Sequence, residues 1–261
     1  MERRRAAHTV AWMAQSHTDI TAPSQQRDDD GLPALVRQYV DRVLPGGSGL
    51  ARQIRVEQAG RIWSKPGGRA MRFTAIERFA CDRVAFRWEA RFPLVPLVSL
   101  PALKVDDGYS GGRGELTVRA LGLPLQRHTG EQVALAEAYR YLAELMWAPD
   151  AILSNRELRW RSVGERHVEV AALLGGESVA VTFVFDCDGE LERCYADARP
   201  RLVNAEAVRT RWGGAFSDYR TFAGRRMPSR AEAYWDLPEG RFVYWEAKLT
   251  GAEALEEPFG P

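Results

Sequence analysis

The residues best suited to chemistry lie in one stretch, Glu131 to Pro149, with the sequence EQVALAEAYRYLAELMWAP. On a helix at about 100° per residue, Arg140 lies one turn before Glu144, a spacing at which unlike charges pair. Tyr141 and Trp147 flank this pair. A carboxyl held among aromatic rings and beside an arginine can anchor a polar ligand group, or it can act as a general acid or base.

Two functional roles follow for these side chains and for residues on the predicted strands. In a catalytic role, Glu144 or Asp107 would be the acid or base, and Tyr141 would donate a hydrogen bond to the developing charge. In a binding role, aromatic side chains would form the walls of a cavity, with Arg140 and Glu144 as its polar anchor. The candidate ligand-binding residues are Trp88, Arg91, Tyr109, Arg140, Trp147 and Trp160. The alternative for each residue is a core ion pair or a packed aromatic ring with no ligand.

The position of the Glu131 helix decides between these possibilities. Its apolar residues fall on one face and its charged residues on the opposite face. The apolar face comprises Leu135, Ala138, Tyr139, Leu142, Leu145 and Met146, and the charged stripe comprises Glu137, Arg140 and Glu144. This pattern is compatible with a half-buried helix that exposes a row of ion pairs to solvent. It is also compatible with a helix inside a curved sheet, with its charged stripe facing a cavity.

The rest of the chain predicts strands, apart from a second helix over residues 32–43. Arg83 to Phe92 alternates most clearly, with Val84, Phe86 and Trp88 on one face. About a dozen such runs are separated by turn signals, and none alternates with a helix, so a parallel sheet is not expected. A long antiparallel sheet must curl. We therefore predict an α+β fold: one large curved antiparallel sheet, a half-barrel, wrapped around one or two helices.

The predicted boundaries are a disordered tail over residues 1–30, one half-barrel domain over 31–252 and a flexible C-terminal tail over 253–261. The tail sequence is polar and without a period. The charged start MERRR precedes an apolar segment that is short and interrupted by His8 and Thr9, so we expect no export signal and a cytoplasmic location.

Composition argues against several classes of partner and cofactor. The net charge is +1, with 36 basic and 35 acidic residues, which gives no basic field for nucleic acid. The longest apolar run is too short for a membrane span. Three cysteines without a CxxC pair and four scattered histidines show no metal-ligand spacing, and no cofactor motif is present. A small-molecule ligand or substrate is the expected partner, and the oligomeric state stays open.

One catalytic motif occurs in the wrong context. Residues 108–112, GYSGG, match the G-x-S-x-G pattern of a nucleophile elbow, which requires a strand-to-helix turn. Here a predicted strand follows, so the glycines are better explained as a hairpin loop. Asp150 and His167 could complete a triad with Ser110, although no local feature supports it.

The sequence of residues 138–153, AYRYLAELMWAPDAIL, resembles a bacterial family of unknown function that carries an R-Y-L-A-E, W-x-P and A-[IL]-L pattern. Further similar segments extend over roughly residues 32 to 250. More weakly, the pattern resembles the half-barrels of lipoprotein carriers, in which a curved sheet wraps helices around an apolar cavity. The sequence and these resemblances together predict binding of a small apolar or amphipathic molecule between the sheet and the 131–147 helix. The alternative is a cofactor-independent acid/base enzyme, such as an isomerase, cyclase or lyase, that uses the same cavity.

Overall fold

The computed structural model describes residues 31–44, 46, 49–95, 98–174, 176–204 and 206–260, so the expected tail over residues 1–30 lies outside the described part. Three α-helices are present in the described part: α1 (Ala34–Val43), α2 (Glu131–Ala143) and α3 (Pro149–Ser154). A single 3-10 turn, Leu145–Trp147, connects α2 to α3. No helix among the described residues is long and apolar enough to cross a membrane.

Thirteen strands of the described chain form one antiparallel sheet. They are β1 (Gln53–Ile62), β2 (Met71–Ala80), β3 (Phe86–Val95), β4 (Val98–Ser110), β5 (Arg113–Ala120), β6 (Leu123–Thr129), β7 (Arg159–Gly164), β8 (His167–Leu174), β9 (Glu177–Phe185), β10 (Leu191–Val203), β11 (Glu206–Phe222), β12 (Arg225–Leu237) and β13 (Gly240–Leu255). The sheet is therefore the dominant element. Of the predicted α+β class, the single large antiparallel sheet is confirmed, whereas the helices form only a small part.

The order of the strands explains why helices lie across the sheet. The sheet runs β6-β5-β4-β3-β2-β1-β13-β12-β11-β10-β9-β8-β7. The chain builds outward from β1 to one edge at β6, crosses to the other edge at β7, and returns strand by strand until β13 pairs with β1. The crossing segment contains α2 and α3. The two halves of the sheet thus meet at the β1–β13 pair in its middle.

Contacts of α2 show that the sheet is strongly curved. The helix packs on β4 and β5 in one half of the sheet and on β9 and β10 in the other half. In a flat sheet, β5 and β10 would lie eight strand spacings of about 4.8 Å apart, roughly 38 Å. A helix about 10 Å wide touches both only if the sheet curls around it. The helix therefore lies inside a half-barrel, as the second interpretation of its sequence predicts.

The predicted helix over 131–149 is not continuous. Its regular part ends at Ala143, with Glu144 as the C-cap, and Pro149 begins the next helix. Proline has no N–H for an intrahelical hydrogen bond, and its ring would clash with the carbonyl one turn earlier, so the first helix cannot run through it. The break turns Trp147 inward, where its indole Nε1 donates to the carbonyl of Pro228 at 3.0 Å.

Two strands differ from the sequence prediction. β6 was not predicted because it contains Pro124 and shows no alternation. Proline is tolerated there because β6 lies at the sheet edge. The sequence alternation predicts a strand only over Tyr219–Phe222, whereas β11 begins at Glu206, because Gly213 and Gly214, which resemble a turn, lie within the strand. A Cβ atom on Gly213 would come within 2.6 Å of the Cys194 carbonyl oxygen.

The C-terminal segment also extends beyond the predicted domain boundary at residue 252. β13 continues to Leu255, which pairs with Gln53. Phe259 is buried against Ala80 and Ala85. These contacts tie part of segment 253–261 to the sheet.

Candidate functional site

A pocket of about 270 Å³ lies between α2 and the concave face of the sheet. Its walls are mostly aromatic, and five of the eight tryptophans of the chain line it. They are Trp88, Trp147, Trp212, Trp235 and Trp245. Trp147 from the 3-10 turn and Trp245 from β13 have ring centroids 6.0 Å apart. Six charged side chains also line the pocket: Asp107, Glu137, Arg140, Glu144, Arg199 and Glu232.

The charged side chains reach the pocket because α2 has no solvent-facing side along most of its length. Leu135, Ala138 and Leu142 are buried, and so are Glu137 and Tyr141 on other sides of the helix. A helix enclosed by a sheet must bury its polar stripe as well as its apolar face. The buried polar groups then need partners within the protein or in a bound molecule.

Arg140 is the centre of a network of buried ion pairs. Its Nη2 donates to Glu77 at 2.6 Å, its Nη1 to Asp107 at 2.7 Å and its Nε to Glu144 at 2.9 Å. The guanidinium carbon lies 4.9 Å from the ring centre of Phe86 and 5.1 Å from that of Trp88. All three nitrogens therefore have carboxylate partners.

Gln58 extends this network into the sheet. Its Nε2 donates to Glu77 at 2.7 Å, and its Oε1 accepts from the indole of Trp88 at 2.9 Å. The side chains of Gln58 and Glu77 are both fully buried. Trp88 is thereby fixed in orientation as a wall of the pocket.

Arg199 occupies the opposite side of the pocket. Its Nε donates to the carbonyl of Ala136 at 3.0 Å, and its Nη1 donates to the hydroxyl of Tyr244 at 3.3 Å. The guanidinium carbon lies 4.3 Å from the ring centre of Trp212 and 5.5 Å from that of Trp235. This arginine therefore lies against two neighbouring aromatic rings and is also hydrogen-bonded.

Burial raises the pKa of three carboxyls in this cluster. The pKa of Glu137 is raised from its ordinary 4.5 to about 8 by burial, with the charge of Asp107 as the next cause. Burial raises the pKa of Asp107 against the opposing charge of Arg140. Burial also raises the pKa of Glu77 well above its usual range, and the neighbouring Glu144 raises it further. Glu137 therefore holds its proton near neutral pH.

Two of these carboxyls keep an oxygen without a hydrogen-bond donor among the described residues: Oδ1 of Asp107 and Oε2 of Glu137. Oε2 of Glu144 also lacks a donor among the described residues. Unpartnered acceptors facing a pocket are positions at which a ligand or water can donate.

The structure brings five of the predicted site residues together around the pocket. These are Trp88, Asp107, Arg140, Glu144 and Trp147. Their association across 60 positions of sequence follows from the curvature of the sheet around α2, which brings β3 and β4 to the helix.

The other four predicted residues lie elsewhere. Arg91 is exposed on β3. Tyr109 is buried beside a second depression near α2 and the β4–β5 turn. The Tyr141 hydroxyl donates to the carbonyl of Ala80 at 2.9 Å and accepts from Asn155 at 3.0 Å, so it is fully engaged in the core. Trp160 packs against Phe183, with ring centroids 5.9 Å apart.

The sequence prediction missed several pocket or network residues, among them Glu77, Arg199 and Trp212. It placed Glu137 on the charged stripe of the helix but did not name it as a candidate acid or base. One signal was available: Glu77 shares the apolar face of its strand with Phe73, Ala75 and Phe79 at period two, so its carboxyl had to be buried. No such signal marks Arg199, because a bulge between Ala196 and Arg199 breaks the alternation of β10.

The G-x-S-x-G motif forms a hairpin turn between β4 and β5, as predicted. Asp150 does not join Ser110: its carboxylate binds Arg225 at 2.8 Å and the backbone N–H of Ala51 at 2.8 Å. Among the residues that the structure describes, no group of histidine, cysteine, aspartate and glutamate side chains is arranged to hold a metal ion.

Solved structures similar to this chain have low sequence identity. A LolA superfamily protein from Nitrosomonas europaea is 12% identical, with 86% of this chain and 93% of that chain covered and a TM-score of 0.43. A putative outer membrane lipoprotein-sorting protein domain from Vibrio parahaemolyticus is 7% identical, with 84% and 90% covered and a TM-score of 0.49. A DUF1329 family protein from Desulfovibrio piger is 11% identical, with 84% and 90% covered and a TM-score of 0.50.

These similarities concern the fold. No match was found among curated proteins. Residues 22–247 match the profile of a family of unknown function. Since this match covers most of the sequence, the chain belongs to that family, DUF6544.

Proposed function

We propose that this protein binds a small apolar or amphipathic molecule in the pocket between the sheet and the 131–147 segment. The observation that carries the proposal is the pocket itself, with aromatic walls on several strands and a buried charged cluster beside them. Ligand sites commonly combine such apolar walls with a few fixed polar groups. Filling this space with side chains would have given a more stable core, since interiors are otherwise close-packed.

The volume limits the size of the ligand. An engineered apolar cavity of about 150 Å³ holds one benzene molecule, so in proportion a pocket of about 270 Å³ holds roughly 11 non-hydrogen atoms. A short alkyl chain or a bicyclic ring system fits this limit. Longer chains would have to extend out of the pocket.

Titration with 1-octanol tests the proposal, because its roughly nine non-hydrogen atoms are below this limit. With five tryptophans in the pocket walls, binding should change the tryptophan emission. The variant Ala233→Phe places a ring in the pocket and should weaken binding at least about tenfold, the equivalent of about 1.4 kcal/mol. Ala171→Phe, on β8 outside the pocket, is the matched control and should bind as the wild type does.

Native mass spectrometry of the purified protein gives an independent result. An added mass that is present in the wild type and absent from Ala233→Phe would identify the natural ligand. Equal affinity of the wild type and Ala233→Phe for 1-octanol would contradict the proposed site.

A second candidate function, acid/base catalysis without a cofactor, is favoured by one observation. Glu137 is buried beside the pocket, its pKa is raised to about 8, and one oxygen has no donor among the described residues. Such a carboxyl can exchange a proton near neutral pH. In this role Glu137 would join Glu144 and Asp107 as a candidate acid or base, whereas Tyr141 is engaged in the core.

Incubation with a metabolite extract tests catalysis without a known substrate. The wild type should deplete one compound and form an isomer or a lyase product from it, and Glu137→Gln should leave that compound unchanged. If both proteins deplete it at the same rate, Glu137 is not the catalytic acid or base.

A further inference from the structure

The charges around the pocket are unbalanced towards the acidic side. Its lining contains four acids, Asp107, Glu137, Glu144 and Glu232, against two arginines, Arg140 and Arg199. Glu77 adds a fifth carboxyl directly behind Arg140. With Glu137 protonated, three carboxyls of the lining still face two arginines. A low-dielectric pocket with excess carboxyls favours a positively charged occupant over a negatively charged one.

Arg140 is not placed to bind an anionic ligand, and two of the three Arg199 nitrogens already have hydrogen-bond acceptors. Each nitrogen of Arg140 donates to a carboxylate, and aromatic rings lie near its guanidinium. Arg199 donates to a backbone carbonyl and to Tyr244, and it stacks on Trp212. An anion would have to compete with these contacts and would also lie close to the carboxyls.

Three carboxyl oxygens in the pocket lining lack donors among the described residues, one each on Asp107, Glu137 and Glu144. Asp107 is 8% exposed and Glu137 is 6% exposed, and both line the pocket with an unpartnered oxygen. A buried acceptor without a donor destabilises the folded protein, because it has lost its hydrogen bonds to water. A ligand that carries N–H groups would recover this cost, and a cation would add charge-assisted hydrogen bonds.

We propose that the ligand of this pocket is an amphipathic amine, whose ammonium group donates to Asp107 and Glu137 while its apolar part packs against the tryptophans. Glu137 is protonated in the empty pocket near neutral pH, because burial raises its pKa to about 8, so it releases this proton to solvent when the ammonium group binds. This inference rests on the proposed binding function and specifies the chemical class of the ligand. The aromatic walls support it further, because a cation within about 6 Å of a tryptophan ring is attracted by the ring face.

Three probes with the same alkyl chain test the inference: octylamine, 1-octanol and octanoate, titrated into the full-length protein at pH 7 and followed by calorimetry. We expect octylamine to bind at least about tenfold more tightly than 1-octanol, and octanoate to bind most weakly. The same series on Ala233→Phe identifies binding outside the pocket, which this variant would leave unchanged.

The variant Glu137→Gln tests the role of the carboxylate. No ion pair of Glu137 would be broken by this change, since none involves it among the described residues. Octylamine affinity should fall at least about fivefold, whereas 1-octanol affinity should stay the same and so report an intact pocket. Glu131→Gln makes the same substitution at an exposed position of the same helix, and its octylamine affinity should match the wild type.

The outcomes separate this inference from the proposed function. If 1-octanol binds in the pocket but octanoate binds as tightly as octylamine, the amine inference is wrong and the binding function stands. Unchanged octylamine affinity in Glu137→Gln would likewise overturn it. If none of the three probes binds, the proposed function is wrong and the amine inference is overturned with it.

Discussion

At the residue scale, the site contains more carboxyl groups than arginine side chains that could pair with them. Arg140 binds Glu77, Asp107 and Glu144 at 2.6 to 2.9 Å in a largely buried position. Desolvation of these charged groups costs free energy on folding, and removal of one partner leaves the other charges buried and uncompensated. The network is therefore better explained by a role in the pocket than by a contribution to the stability of the fold.

The variant Arg140→Met tests this description of the network. Three carboxyls would lose their common cation, so the free energy of unfolding should fall by about 3–5 kcal/mol at pH 7. Arg161→Met breaks an exposed ion pair with Glu169 and should change the free energy by less than about 1 kcal/mol. Chemical denaturation of both variants measures the difference, and equal small losses would show that the buried pairs contribute little.

Glu137 should make stability depend on pH in an unusual direction. The folded protein keeps the Glu137 proton up to about pH 8, whereas the unfolded chain releases it near the ordinary value of 4.5. Between these values the folded state holds the extra proton, so the free energy of unfolding falls as the pH rises. Glu137→Gln has no proton to lose and removes this contribution.

We therefore expect Glu137→Gln to be about 1–3 kcal/mol more stable than the wild type at pH 9 and nearly equal to it at pH 5. Urea denaturation at the two pH values measures this, with Glu131→Gln as the exposed control. A Gln variant that is equally destabilised at both pH values would contradict the protonated, buried state of Glu137.

The sequence identifies part of this site at the residue scale. The spacing of Arg140 and Glu144 predicts their ion pair, and the structure has it at 2.9 Å. Strand period places Glu77 on an apolar face and could have predicted its burial. The pairing of Arg140 with Asp107 and Glu77 depends on how strands far apart in sequence curl around the helix, which no local pattern specifies.

At the element scale, α2 is held unusually close to the sheet. A Cβ atom on Gly114 of β5 would lie 2.5 Å from Cα and 2.7 Å from the backbone nitrogen of Ala134 in α2. Such distances leave no room for any side chain at this position. The helix, and with it the charged cluster, is therefore positioned by a backbone contact at its first turns.

Gly114→Ala should displace α2 and lower the free energy of unfolding by about 1–3 kcal/mol, the usual cost of overpacking. It should also weaken 1-octanol binding, because Glu137 and Arg140 would move with the helix. Gly49→Ala is the control, since a Cβ there meets nothing within 4 Å. A fully stable Gly114→Ala protein with wild-type affinity would show that this contact does not position the site.

The amphipathic pattern predicts the existence of α2, but not its end. The charged stripe is equally compatible with a solvent-exposed row, and only the sheet around the helix excludes that interpretation. Pro149 does mark the break in the predicted helix, because a helix that contains proline in its interior loses a hydrogen bond.

At the scale of the whole molecule, the fold depends on a pairing between the ends of the sheet-forming chain. β1 and β13 join in the middle of the sheet, with Gln53 opposite Leu255. The edge strand β6, in contrast, is exposed along its whole length. Turn signals predict neighbours such as β4 and β5, but they cannot predict β1 with β13, because those strands are about 200 residues apart.

Amide hydrogen exchange should reflect this arrangement. We expect β1 and β13 to exchange most slowly, since their opening requires separation of the two halves of the sheet, and β6 to exchange among the fastest strands. Mass spectrometry of exchanged peptides resolves these regions. Protection of β6 equal to that of β1 would contradict a sheet that is held together at its centre.

A crystal structure of the protein with octylamine bound tests the proposed binding site and ligand class most directly. We predict that the alkyl chain packs against Trp147 and Trp245, with the nitrogen within hydrogen-bonding distance of Asp107 or Glu137. An empty pocket at saturating octylamine would contradict the binding function. An amine nitrogen directed away from both carboxyls would contradict the inferred class of ligand.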